Sequence, residues 1–289
     1  MNRLLVPSSA LIWGLQVAFL SPSLALILST LYGASTAEIG WVLAIYNASG
    51  FIASLVVPAW ADRRQDYLGP MLLSGVLTVL LVVLLALVSS LPPVTIVLVV
   101  AGGPAGVGVS MLWAHLRHAG VRPAQIVNTR AIVSVAWVAG PPIATLIIGW
   151  FGPQAILLAI GLVALTNIGT TALMIRGHRA ALASDDPPKP AEDEDGVSLG
   201  RAGIVLVTAS FVLLQATNTT SMSFLAVYVP QTVGIDVVWA GIALGVAAGL
   251  EVPALMIVAR LTTRGVTALG QRATFLACAV LTLVGLLIL

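Results

Sequence analysis

Residues 70–90 read PMLLSGVLTVLLVVLLALVSS and contain no charged side chain. A helix needs about 20 predominantly apolar residues to cross the hydrocarbon core of a bilayer. This run is too long and too uniformly apolar for a β-strand, and in lipid a helix satisfies its own backbone hydrogen bonds. The stretch therefore predicts a transmembrane helix.

The rest of the chain has the same character. Of its 289 residues, 59% are hydrophobic and 8% are charged, and the mean hydropathy is +1.06. Soluble domains have about 45–50% apolar and about 25% charged residues, so a soluble protein is excluded. A formal net charge of +2 is too small for a nucleic-acid-binding surface, and the single cysteine excludes a disulfide framework. The lipid bilayer is the expected partner of the surface, and no cofactor is indicated.

Apolar runs of membrane length recur along the whole chain. They predict an all-α membrane protein, a bundle of about nine transmembrane helices. The first run is too long for a cleaved signal peptide and continues into further spans. The predicted spans lie at about 9–32, 38–60, 70–90, 94–116, 125–150, 153–175, 203–229, 236–260 and 272–289.

The Lys and Arg residues predict the orientation of the bundle. With nine spans, all 13 basic residues fall on one side of the membrane. The opposite loops contain none; they lie at about 33–37, 91–93, 151–152 and 230–235. Because positive charge marks the cytoplasmic side, the N-terminus is expected to be cytoplasmic.

One long polar connection divides the spans into six and three. It is rich in proline and acid and is expected to be a disordered cytoplasmic linker. The predicted units are an N-terminal six-helix half (1–176), the linker (177–202) and an incomplete C-terminal half (203–289). A weak internal repeat places Gly40 on Gly241, as expected of a transporter built from repeats. A six-plus-six protein would need three more spans, so the sequence is expected to be incomplete.

Several stretches carry a family resemblance. These stretches are Ser21-Pro22-Ser23-Leu24-Ala25-Leu26, Arg130-Ala131 with Ala136-Trp137-Val138-Ala139-Gly140-Pro141-Pro142, Asn218-Thr219, and Ala247-Ala248-Gly249-Leu250-Glu251-Val252-Pro253-Ala254. On these residues the chain resembles the major facilitator superfamily and, within it, the bacterial sugar efflux transporters. The loop 2–3 signature of the superfamily survives only as Ala61-Asp62-Arg63.

The resemblance implies fold, activity and location. It implies a multi-pass protein of the bacterial inner (cytoplasmic) membrane that exports sugars or related small molecules. Transport would be secondary active, by alternating access, with protons as the coupling ion of an antiporter. A general drug or metabolite efflux transporter and a truncated, non-transporting remnant are the alternatives. No enzyme motif is found, such as HExxH, GxSxG or a phosphate loop, so an enzyme is not expected.

Glu251 is the strongest candidate for proton coupling, because an ionised acid near the middle of a span costs about 2.5–3.5 kcal/mol. It must face protein or water there. In the superfamily fold helices 5 and 8 meet, so Arg130 is expected within reach of Glu251. The hypothesis is an ion pair that forms in one access state; the alternative is an arginine that reaches the headgroups.

Polar residues near the midplane are the candidates for contact with the substrate. Gln16, Asn47 and Asn218 carry amides that both donate and accept hydrogen bonds, which suits sugar hydroxyls. Trp113 and Tyr228 could offer flat faces to a pyranose ring. The alternative for the amides is hydrogen bonding between helices.

The remaining candidates are structural or lie at the cytoplasmic mouth. Four prolines are expected to bend helices: Pro22, Pro141, Pro142 and Pro253. Asp62 and Arg63 would latch helices between states or form a solvated loop. The glycines at 241, 245 and 249 indicate a helix-packing surface, as do Gly102 and Gly106. His115 and His118 lack further ligands, so no metal site is predicted.

Overall fold

The computed structural model describes residues 5–119, 123–182 and 201–250. Helices make up nearly all of these ranges, and no strand occurs within them. The helices are α1 (Leu5–Tyr32), α2 (Thr36–Arg64), α3 (Leu68–Leu87), α4 (Leu91–His118), α5 (Pro123–Phe151), α6 (Pro153–Leu182), α7 (Arg201–Tyr228) and α8 (Val238–Leu250).

The predicted spans can be compared with these helices directly. Six helices are long and apolar enough to cross a membrane, and they coincide with predicted spans 1–6. The prediction of an all-α, multi-pass membrane protein is therefore confirmed. Helix α7 occupies predicted span 7, and α8 begins within predicted span 8. The rest of span 8, span 9 and residues 183–200 of the predicted linker lie outside the described residues.

Local sequence signals set the helix ends. Ser35 and Glu38 form a capping box at the start of α2, in which the Glu38 carboxylate accepts from the Ser35 N–H at 2.8 Å. Asp236 accepts from the Val238 N–H at 2.8 Å and caps α8. At the turn between α5 and α6, Gly152 has φ +86°, and a proline begins the next helix.

Helix α1 lies at the centre of the bundle. It packs against α5, α6 and α7, while α3 packs against α4 and α6. Phe19, Leu20 and residues 24–28 of α1 are buried in one apolar cluster with residues of α2–α7, and Ala10 and Trp13 belong to a second cluster. Helix α2 is far more exposed, with Trp41, Phe51 and Leu55 on its surface. In a membrane protein such a surface contacts lipid or another helix.

Helix α4 is interrupted in its middle. A π-helical turn covers Leu98–Gly102, and a break follows before Gly108–His118. The Ser49 hydroxyl of α2 donates to the Val99 carbonyl at 2.5 Å. A Cβ on Gly103 would lie 2.8 Å from the Gly50 nitrogen, so the two backbones touch here because residue 103 has no side chain.

Three of the prolines expected to bend helices lie inside α1 and α5, and both helices continue through them. Pro142 has no N–H, so the carbonyl of Val138 lacks its helical donor. The Thr145 hydroxyl donates to the Pro141 carbonyl at 3.0 Å. Whether these helices bend at the prolines stays a prediction, and Pro253 lies outside the described residues.

Candidate substrate cavity

A cavity of about 520 Å³ lies between α1, α2, α5, α7 and α8. Volumes of about 300–1,000 Å³ are typical of small-molecule sites. The residues that line it are Val17, Ser21, Tyr46, Asn47, Ser134, Trp137, Gln215, Asn218, Thr219, Met222, Ser223 and Ala248.

The lining mixes polar and apolar side chains and is uncharged. Asn47, Gln215 and Asn218 contribute amides, and five further residues contribute hydroxyls. No charged side chain is among the lining residues in the described part of the chain. Amides and hydroxyls both donate and accept, so the cavity can pair with a ligand whose groups do the same. Trp137 adds a flat aromatic surface.

Half of the residues with amides or hydroxyls lie on α7: Gln215, Asn218, Thr219 and Ser223. Gln215, Asn218, Thr219 and Met222 follow each other at intervals that return to the same side of a helix. Two predicted candidates, Asn47 on α2 and Asn218 on α7, line the same cavity. Asn47 and Tyr46 also line a second groove of about 300 Å³ between α2 and α4.

Gln16 does not line the cavity. Its side chain is buried; Nε2 donates to the Thr78 hydroxyl at 2.8 Å, and Oε1 accepts from Asn167 Nδ2 at 2.7 Å. Gln16 thus faces α3 and α6 and joins α1 to both of them. The structure favours the interhelical hydrogen bond over contact with a substrate at this position.

The two aromatic residues expected in the cavity also lie elsewhere. Trp113 is on α4, where the Arg130 guanidinium carbon lies 5.7 Å from its ring centroid, and Tyr228 is 54% exposed. The expectation that they face the cavity is not supported. The tryptophan that lines the cavity is Trp137. Arg130 is exposed and makes a cation–π contact with Trp113.

Asp62 lies in the last turn of α2, beside the exposed Arg63, and accepts a hydrogen bond from the Tyr67 hydroxyl at 2.9 Å. Burial, and then the hydrogen bond and charge of Asp62, raise the pKa of Tyr67 to about 12. In the described residues no group of three His, Cys, Asp or Glu side chains could hold a metal ion. Glu251, the partner predicted for Arg130, lies outside the described residues.

Glycines close the cavity at one end, where α5 meets α8. A Cβ on Gly245 would lie 2.8 Å from the free Val138 carbonyl oxygen, and one on Gly241 would lie 2.7 Å from the Pro141 oxygen. A Cβ on Gly249 would meet only Val138 Cγ1, at 3.9 Å. The predicted packing surface therefore exists at Gly241 and Gly245, and it loosens by Gly249.

Helix α7 is likewise tightly packed toward one of its ends and exposed toward the other. Val205, Val212 and Leu213 are exposed, whereas Ala226 and Val227 are buried in the cluster around α1. We call the end of the bundle that carries Arg63, Arg117 and Arg179 the basic end, and the other end, with Glu38 and Asp236, the acidic end. Among the described residues, α7 is packed against α1 at the acidic end and exposed toward the basic end, while α1 and α5 remain in contact in the basic half, where a Cβ on Gly14 would lie 2.9 Å from Ala136 Cβ.

Comparison with known proteins agrees with this architecture. The family model described as Major Facilitator Superfamily matches residues 8–289. The chain belongs to the Major Facilitator Superfamily. It is also 28% identical, over 257 residues, to the "Putative sugar efflux transporter" of Deinococcus radiodurans, with 86% of this chain aligned. The alignment spans 65% of that relative's length.

Membership in the superfamily confirms the resemblance found in the sequence, and it indicates a transporter rather than an enzyme. It also agrees with a cavity enclosed by helices from both sides of the linker. Sequence reasoning missed Trp137, Gln215 and Ser134 as lining residues. The sequence could have predicted Gln215, since it precedes Asn218 by three residues and therefore lies on the same face of the helix. Ser134 had no comparable signal.

Proposed function

We propose that the chain forms the substrate-binding part of a secondary active transporter that exports a sugar or glycoside. The observation that carries this proposal is the uncharged cavity lined by amides and hydroxyls on α2, α5 and α7. A sugar presents many hydroxyls and no charge, so each of its groups can both donate and accept. The relative's printed description as a sugar efflux transporter supports the same substrate class.

The alternative of general drug or metabolite efflux fits this lining less well. A charged ligand would enter the cavity without an opposite charge on the described lining residues, and burial of an unpaired charge is costly. A large apolar ligand would leave the amides of Asn47, Gln215 and Asn218 without partners.

Alternating access is supported by the difference along α7 and along the α5–α8 contact, both of which are tighter toward the acidic end. With positive charge on the cytoplasmic side, the N-terminus is inside and the basic end faces the cytoplasm. The described arrangement would then be the inward-facing state, closed outside by the α5–α8 glycines. We place the two moving units at 1–176 and 203–289, joined by the linker 177–202.

Proton coupling, as in an antiporter of the bacterial cytoplasmic membrane, is assigned to Glu251. Ala248 lines the cavity, and Glu251 follows it by three residues on the same predicted span. An acid beside a cavity that is hydrated in one state and dry in the other would bind and release a proton. Arg130 and the pair Asp62–Arg63 are the proposed gate residues, and Arg130 would pair with Glu251 in one state.

The substrate proposal is tested by binding of radiolabelled sugars to the full chain in lipid vesicles. Asn218→Ala should weaken binding roughly fivefold to tenfold, because one buried polar contact contributes about 1 kcal/mol or more. Thr220→Ala is the matched control, since Thr220 lies on α7 but not in the cavity. Equal affinities of the two variants, or preference for organic cations over sugars, would reject a sugar site.

Proton coupling is tested separately, by sugar flux in vesicles with and without a pH gradient. Flux should depend on the gradient, and Glu251→Gln should lose that dependence while it keeps binding. Gradient-independent flux, unchanged in Glu251→Gln, would contradict coupling through this residue. Sugar binding without any flux by this chain would favour the non-transporting alternative.

A further inference from the structure

Three side chains meet at the basic end of the bundle, outside the cavity. Asp62 belongs to the last turn of α2, Tyr67 to the turn before α3, and His118 to the end of α4. The Tyr67 hydroxyl donates to Asp62 Oδ1 at 2.9 Å and lies 3.0 Å from His118 Nε2. The rings of Tyr67 and His118 are stacked, with centroids 4.5 Å apart and planes at 26°.

The other ring nitrogen of His118 is engaged as well. Its Nδ1 lies 2.9 Å from the Ala114 carbonyl oxygen, one turn earlier on α4. A carbonyl can only accept, so this contact needs a hydrogen on Nδ1. A neutral His118 then has no hydrogen left for Nε2.

The three contacts require more hydrogens than the neutral groups supply. His118–Ala114, His118–Tyr67 and Tyr67–Asp62 each need one hydrogen. A neutral histidine provides one, and the tyrosine provides one. With a neutral His118, either Nε2 or the Asp62 oxygen faces the Tyr67 oxygen without a hydrogen between them. One more proton on His118 completes the set.

The surroundings include charge of both signs. Asp62 and Asp66 are the carboxylates at the end of α2 and in the α2–α3 turn, and the positive charge of Arg117 on α4 acts on Tyr67 against the negative charge of Asp62. His115 on α4 and His178 on α6 are the neighbouring titratable groups. Tyr67 itself is only 4% exposed, whereas Asp62 and His118 are exposed, so the site is in contact with the solution from which it takes a proton.

We propose that Asp62, Tyr67 and His118 form a proton-binding site that joins the ends of α2 and α4. A proton taken from the basic-end solution binds His118, and the hydrogen-bonded chain from the Ala114 carbonyl to the Asp62 carboxylate is then complete. Loss of that proton opens one contact and loosens the connection between the two helices. The site is separate from the cavity and does not rest on the proposed sugar transport.

The site is tested by NMR of the full chain with ¹⁵N-labelled histidine in lipid nanodiscs. The sequence has three histidines, so few ring signals arise, and His118→Asn identifies those of residue 118. Tyr67→Phe keeps the stacked ring and removes only the hydroxyl. At pH 7 this substitution should lower the ratio of doubly to singly protonated His118 roughly fivefold, the equivalent of one hydrogen bond. Asp62→Asn should lower it too.

The matched control is His178→Asn, which removes a nearby titratable ring that makes no contact with Tyr67. It should leave the ratio for His118 within about twofold of the wild type, below the change expected for one hydrogen bond. A Tyr67→Phe ratio that is equally unchanged would overturn the proposal. Because the readout is ring protonation and needs no sugar, its failure is distinguishable from failure of the proposed transport.

Discussion

Two helix contacts in this molecule are built from different chemistry. Between α1, α3 and α6, buried side chains of Gln16, Thr78 and Asn167 form direct hydrogen bonds. Between α5 and α8, Gly241 and Gly245 lie against backbone carbonyls and the side chains of Pro142 and Thr145. The first contact has one favourable geometry, because hydrogen bonds are directional. The second is smooth and depends on the absence of side chains.

This difference indicates which surfaces stay together and which can move. A helix held by side-chain hydrogen bonds in lipid would leave buried polar groups unpaired if it shifted. A glycine surface in van der Waals contact has no such groups to lose. Helix α1 therefore belongs with α3 and α6, while α8 can part from α5, as alternating access requires. Four substitutions separate these two kinds of contact from the cavity: Gly245→Ala, Gln16→Leu, Asn47→Leu and Trp137→Leu.

The largest effect is expected from Gly245→Ala. Its new Cβ would lie 2.8 Å from the Val138 carbonyl oxygen, and because that atom belongs to the backbone, α5 and α8 must separate. Overpacking of this kind costs about 1–3 kcal/mol, so the state that is closed at the acidic end becomes less populated. Sugar export should fall roughly tenfold or more. Labelling of a cavity cysteine, Ser134→Cys, by an impermeant reagent from the acidic side should rise.

Gly249→Ala provides the matched control for that experiment. It makes the same change one turn further along the same helix, where the nearest atom is Val138 Cγ1 at 3.9 Å. Export and labelling should stay near the wild-type values. Similar losses in both variants would show that the helix, and not the close contact, is sensitive to substitution.

The second prediction concerns the hydrogen-bonded contact. Gln16→Leu leaves Asn167 Nδ2 without its acceptor and removes the donor to Thr78. The free energy of unfolding should fall by about 1–2 kcal/mol, the range for polar contacts between membrane helices. Thermal unfolding in detergent measures the change, and sugar affinity should be unaltered.

Asn47→Leu is expected to show the opposite pattern. Asn47 is exposed and lines the cavity, so its loss should weaken sugar binding and leave the unfolding temperature unchanged. If Gln16→Leu lowered affinity as much as Asn47→Leu, the assignment of Gln16 to a structural role would be wrong.

These two amides also show how far the sequence could predict the site. Distance from the centre of a span predicts depth in the membrane, and by that measure Gln16, Asn47 and Asn218 are equivalent. Depth does not predict the direction of a side chain around its helix, and that direction depends on which helices are neighbours. Gln16 faces α3 and α6, whereas Asn47 and Asn218 face the cavity.

The fold was more predictable than the site for a physical reason. Residues 70–90 must form a helix in lipid because of their own length and composition, whatever surrounds them. The glycine spacing of span 8 likewise predicts a packing surface without a named partner. Trp113 and Trp137 both lie within predicted spans, and only the packing of α4 and α5 decides that Trp137 reaches the cavity. The interruption in α4 has a local signal in Gly102, Gly103, Pro104 and Gly106, because proline lacks a helical donor and glycine weakens a helix. The sequence does not predict the contact of Gly103 with α2.

The smallest effect is expected from Trp137→Leu, which tests the cavity itself. Leucine keeps an apolar side chain and removes the flat aromatic face. An aromatic contact contributes about 0.5–1.5 kcal/mol beyond burial, so affinity for a pyranose should fall roughly threefold to tenfold. Trp150→Leu is the control, because Trp150 is 74% exposed and lies outside the cavity. A linear polyol such as sorbitol has hydroxyls but no rigid ring face, so its affinity should change less than that of the pyranose. If both ligands lost affinity equally, Trp137 would contribute only non-specific apolar contact. The cavity would then bind hydroxyl groups without distinguishing a pyranose ring from a linear chain.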